Sequence, residues 1–137
     1  MTRPLGGICV KFLLISISVL AMSSLSAEEI HTANPKIESL QMKIRDLAAL
    51  DLTCGVKTDC VVLPERDICQ SPNSTVVSKK NNKFNIVQRL DQELGEVVGK
   101  ERATIKEKTG REPRCLAVIY KYPIADCMSG TCSAARE

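Results

Sequence analysis

Six cysteines follow residue 50, at Cys54, Cys60, Cys69, Cys115, Cys127 and Cys132. They constrain the fold of this chain more than any other feature. An even set of cysteines in an exported chain predicts a disulfide framework, because the compartment is oxidising. Six cysteines allow 15 pairings, and spacing alone does not choose among them. The intervals between them are 5, 8, 45, 11 and 4 residues, so no C-x-x-C occurs. That removes the thioredoxin-type redox motif and the paired zinc knuckle.

The N-terminus supplies the compartment. Residues Met1–Ala27 read as a secretory signal peptide. Arg3 and Lys11 form a positive n-region, and Phe12–Met22 runs uncharged. That run is well short of the ~20 apolar residues a membrane-spanning helix needs. Small residues follow at Ser23, Ser24, Ser26 and Ala27, before Glu28-Glu29. Cleavage is expected after Ala27, with Ser26 the close alternative. Of the 137 residues, 27 are lost and 110 remain as a single small exported domain, residues 28–137. Arg3, Lys11 and Cys9 leave with the signal, so the charge falls from +3 to +1 and seven cysteines become six.

A near-neutral mature chain gives no electrostatic pull toward nucleic acid or acidic lipid. Trp is absent and aromatics are 3% of the chain, so a nucleic-acid surface of stacked rings is not expected either. A domain of this length buries about 60–70% of its unfolded surface. Each native disulfide adds about 2–4 kcal/mol, a large share of a typical total of about 5–15 kcal/mol.

Along the mature chain, Glu28–Ala33 reads as a mobile tail. Asn34 is placed to cap a helix with Pro35 at its first position. Ile37, Leu40, Ile44, Leu47 and Asp51 share a stripe, which predicts an amphipathic helix ending near Asp51 or Leu52. Short strands are expected at Cys60–Leu63, closed by Pro64, and at Thr75–Ser78, followed by a turn at Lys79–Asn82. Phe84, Val87, Leu90, Leu94, Val97, Val98 and Ile105 predict a long helix from about Lys83 to Lys108, stopping at Thr109-Gly110. Gly95 and Gly99 inside it predict either a kink or a close backbone approach. From Lys100 to Arg114 basic and acidic residues interleave, as on a solvated face. Cys115–Tyr122 is β-branched and aromatic and reads as the best strand, ended by Pro123. The order predicts a small disulfide-stabilised α+β domain, two helices against a short antiparallel sheet.

Cys127-Met128-Ser129-Gly130-Thr131-Cys132 is the most suggestive local piece. It reads either as a strained, reactive disulfide loop or as two cysteines that each tie the tail to the core. The second reading leads, since exported disulfides are mostly structural. Met128 alone is thin support for a soft copper(I) ligand set. His31, the only histidine, falls in the tail where nothing orients it. The segment Gly95–Lys100 imitates a phosphate loop, but Glu101 stands where Ser or Thr is needed and the segment reads as helix. Asn73-Ser74-Thr75 is an N-glycosylation sequon in a turn. No catalytic residue, metal ligand set or cofactor motif is assigned; all six mature cysteines are assigned to disulfides.

The cysteine layout resembles that of small exported bacterial cysteine-containing proteins of uncharacterised function. The resemblance rests on Cys54-x₅-Cys60 with Asp59, then Cys69, a long helix, a cysteine-containing strand, Pro123 and Asp126-Cys127…Cys132. It spans about residues 46–132. The glycine-rich segment of that group is missing after Cys69, where Gln70-Ser71-Pro72 stands. The resemblance implies export and general architecture, and brings no catalytic residues.

These readings converge on a periplasmic or secreted, non-enzymatic protein-binding module, such as an envelope inhibitor or immunity protein. Its partner would be another envelope or extracellular protein, with no nucleic acid and no stable membrane span after signal cleavage. The loops Thr53–Asp59 and Glu65–Ser74 and the tail Ala125–Cys132 are the expected contact surfaces. The alternative is a thiol-redox or metal-handling protein using Cys127 and Cys132. A hydrolase with a carboxylate pair is a third reading, for which the sequence places no residues.

Overall fold

The computed structural model describes residues 34–115 and 119–135. The signal-peptide reading and His31 lie outside the described residues.

Helix α1 spans Pro35–Ala49. The Asn34 side chain accepts a hydrogen bond from the Lys36 amide at 3.0 Å, and Pro35 takes the first helical position. The buried stripe is Ile37, Leu40, Ile44 and Ala48. Asp51 lies beyond the helix, where its carboxylate accepts from the Thr53 amide at 2.8 Å and starts the next turn. Helix α2 spans Phe84–Thr109 and ends in a left-handed cap at Gly110, whose φ is +68°.

The α2 helix continues unbroken through Gly95 and Gly99. At Gly95 a Cβ would meet the Arg66 side chain at 3.5 Å, an ordinary van der Waals contact, so close approach does not explain this glycine. Nothing in the structure explains Gly99. Asn81, only 3% exposed, joins the two helices. Its Nδ2 donates to the Leu47 and Ala48 carbonyls at the end of α1, and its Oδ1 accepts from the Lys83 amide beside α2. Helix ends leave such carbonyls without partners, so this one side chain closes α1 and positions the start of α2.

Strands β1 (Cys60–Pro64) and β2 (Ser74–Ser78) pair antiparallel, with Cys60 opposite Ser78 and Pro64 opposite Ser74. Side chains alternate between the two faces of a strand, and the register sorts them. Leu63 and Val77 pack with Ile37, Leu40, Ile44, Val87, Leu94 and Val98 of the helices. Cys60 and Val76 pack instead with Cys54, Cys132, Leu52, Ala125 and Cys127. The β1–β2 ladder is therefore a middle layer, with an aliphatic core on the helix side and a sulfur-rich core on the other.

The second ladder differs from the sequence expectation. Strands β3 (Ile124–Met128) and β4 (Thr131–Ala135) form a hairpin around Ser129-Gly130. Cys115 and Ile119–Tyr122, the described part of the expected Cys115–Tyr122 strand, carry no strand, and Ile119 is 96% exposed. Strand propensity reports fit to a half-buried surface rather than a backbone preference. The tail wins because Ser129 and Gly130 adopt φ of 52° and 79°. Paired positive φ values are what a two-residue hairpin turn requires.

Candidate functional site

All six cysteines among the described residues are paired. The bonds are Cys54–Cys127, Cys60–Cys132 and Cys69–Cys115. Cys127 and Cys132 thus bond to two different residues rather than to each other, and tie the tail to the core. The first two bonds interlace, and the third closes inside both. Three intramolecular disulfides fit an oxidising compartment.

The loop Thr53–Asp59 and the β3–β4 hairpin form one structure. The Cys54 amide donates to the Gly130 carbonyl at 2.9 Å, and the Cys132 amide donates to the Leu52 carbonyl at 2.7 Å. Thr53 and Thr131 make an antiparallel bridge between them. The hairpin is held to this loop by backbone hydrogen bonds on one edge of β4 and by Cys54–Cys127 beneath.

Asp59 fixes the shape of the loop. Its Oδ2 accepts from the Gly55 amide at 2.7 Å and the Val56 amide at 3.1 Å, and pairs with Lys80 Nζ at 3.1 Å. The Gly55 amide, then Lys80, then the Val56 amide hold its carboxyl down at about 2. Asp51 is also held below the usual range, by its hydrogen bonds with Thr53. A general acid at neutral pH needs the opposite shift.

These segments expose two large apolar side chains among exposed polar residues such as Lys57, Thr58 and Thr131. Val56 is 57% exposed and Met128 60%. In sequence, Val56 is two residues from Cys54 and Met128 is adjacent to Cys127, the two residues that Cys54–Cys127 joins.

The third expected surface, Glu65–Ser74, lies at the opposite end of β1. Arg66 makes a two-pronged contact with Asp91 of α2, at 3.0 and 3.1 Å. Cys69–Cys115 and a hydrogen bond from Tyr122 to the Ser71 carbonyl hold the rest. Beside it lies an open cleft of about 660 Å³ lined by Arg45, Glu65, Asn73, Tyr120 and Lys121. The side chain of Asn73 in the sequon is at the surface here. The structure therefore brings two of the three expected loops together and sets the third apart.

Sequence reasoning missed the clustering of the sulfurs. The Sγ atoms of Cys54, Cys60 and Cys132 all lie within 4.8 Å of one another, and all three residues are buried. Such a group has the spacing of a metal site, but only thiolates ligate a metal, and these sulfurs are held in S–S bonds. The spacing of the cysteines carries no signal for this cluster, because which sulfurs meet follows from the pairing.

No helix among the described residues is long and apolar enough to cross a membrane. Comparison of the chain with protein-family models, with curated proteins and with solved structures gave no match.

Proposed function

We propose that this is an exported, non-enzymatic protein-binding module of the periplasm or cell exterior, in the manner of an envelope inhibitor or immunity protein. The observation that carries the reading is the exposed pair Val56 and Met128, on two segments joined by Cys54–Cys127. Large exposed apolar side chains on a braced surface favour association, because little freedom remains to be lost on binding. Asp59 adds to the bracing by tying Gly55 and Val56 to Lys80. The partner is another envelope or extracellular protein rather than nucleic acid.

The test is a photo-crosslinking side chain at Met128, used in the compartment where the protein resides. A discrete adduct is expected from position 128, none from the helix-end position Lys108, and loss of the adduct in Val56→Glu. Equal labelling from both positions, or none from 128, overturns this surface.

A second reading, thiol or metal handling through Cys127 and Cys132, is supported by the partial exposure of Cys127, the least buried of the four interlaced cysteines. It predicts that the isolated protein has thiols which alkylate without prior reduction. Full protection of all six mature cysteines removes it.

A further inference from the structure

Cys127 and Cys132 are Cα partners across the hairpin. The turn Ser129-Gly130 makes Met128 and Thr131 the closing pair, so Cys127 and Cys132 occupy the next, non-hydrogen-bonded position. The amide of Cys132 confirms this by pointing outward, to the Leu52 carbonyl. At such positions Cα atoms approach to about 4.5 Å, within the range a disulfide spans. Cys54 and Cys60 are separated by only five residues, and their sulfurs already lie within 4.8 Å. The four cysteines therefore support two pairings. One is the observed Cys54–Cys127 with Cys60–Cys132. The other is the local Cys54–Cys60 with Cys127–Cys132.

Access is unequal. Cys54, Cys60 and Cys132 are 5%, 8% and 3% exposed, whereas Cys127 is half-buried. An external thiolate therefore reaches this group at Cys127, and the thiolate released is the buried Cys54. Cys54 lies within 4.8 Å of both sulfurs of the Cys60–Cys132 bond.

We propose that these two disulfides form a thiol-exchange site that an external monothiol converts between the two pairings. In the first step the entering thiolate bonds Cys127 and the Cys54–Cys127 bond breaks, leaving the Cys54 thiolate. In the second, Cys54 bonds Cys60 and the Cys60–Cys132 bond breaks, leaving the Cys132 thiolate. In the third, Cys132 bonds Cys127 across the hairpin and expels the entering thiolate. Each step makes one S–S bond and breaks one, so no oxidant is consumed and the entering thiol is returned. The product hairpin is closed on itself and has lost both covalent ties to the core. Among the described residues, its hydrogen bonds to Leu52 and Cys54 and its apolar packing still hold it. This inference goes beyond partner binding and does not depend on it.

The probe is cysteamine at sub-stoichiometric concentration on the intact oxidised protein, followed by acid quench, alkylation and mass mapping. Cleavage after Lys57, Arg66, Lys121 and Met128 places the four cysteines on separate fragments. The expected result is gain of the Cys127–Cys132 and Cys54–Cys60 links in step with loss of the native two, with Cys69–Cys115 unchanged. An unchanged map overturns the proposal, and so does scrambling that involves Cys69–Cys115 equally. A second measurement uses Cys60→Ser, in which Cys132 loses its partner. Alkylation shared between Cys132 and Cys54 is expected; alkylation of Cys132 alone overturns the exchange.

Discussion

Cys127 and Cys132 face each other across the β3–β4 ladder, and each is bonded to a different cysteine of the segment 54–60. A single hairpin is thereby attached twice, once at each strand. Both attachments close loops of more than 70 residues, and long loops carry the largest chain-entropy effect.

Since the interlaced Cys54–Cys127 bond still holds the same two segments together, removing the Cys60–Cys132 bond as Cys60→Ala with Cys132→Ala should lower stability by about 3 kcal/mol from loop entropy. Both residues are also buried, so the lost packing adds to the loss. The corresponding Cys69→Ala with Cys115→Ala variant should lose less in total, since Cys69 and Cys115 are only half-buried. Denaturant midpoints of the two variants check the order. An equal or reversed loss means that the sulfur-rich core contributes no packing.

Much of the stretch from Asn34 to Gly110 was legible, because its signals are local. Asn34-Pro35 announced α1, Thr109-Gly110 announced the end of α2, and Pro64 closed β1. The hairpin was not, because weight fell on the β-branched run before Pro123 rather than on Ser129-Gly130, whose backbone sets the turn. The site was legible only as a cysteine count. Which cysteines meet depends on β1 laying Cys60 on the face away from the helices, a property of register between distant segments.

Two glycines should respond in opposite directions to alanine. Gly99 lies inside α2 with open space where a Cβ would sit. Gly99→Ala should raise stability by up to about 1 kcal/mol. Gly110 caps the same helix at φ +68°, where a side chain is strained, so Gly110→Ala should lower stability by about 1 kcal/mol. Thermal midpoints of the two variants, measured against the parent, give both signs.

Acid should loosen the Thr53–Asp59 loop in a defined window. The Asp59 carboxyl sits at about 2 in the folded chain, against an ordinary value of 3.8. A depressed folded value means that ionised Asp59 stabilises the fold fully above its ordinary value, and that this contribution is lost as pH falls toward 2. In Asp59→Asn the dependence of the unfolding midpoint on pH should flatten between about pH 4 and pH 2. An unchanged slope means that the Gly55 and Val56 amides do not hold the carboxylate in solution.

Asn81 offers the sharpest test of the join between the helices. Buried carbonyls left without donors cost about 1–3 kcal/mol. Asn81→Ala should cost that much, since Leu47 and Ala48 would both lose their donor. Asn81→Asp keeps the shape and the acceptor for the Lys83 amide but places a carboxylate against those same carbonyls. It also puts negative charge at the negative end of the α1 dipole. The aspartate variant should therefore be the less stable of the two at neutral pH and should recover on acidification, as its carboxyl protonates and regains a donor. Urea midpoints at pH 7 and pH 4 separate the two cases. An aspartate variant as stable as the parent at pH 7 would mean that the Nδ2 contacts do not close α1.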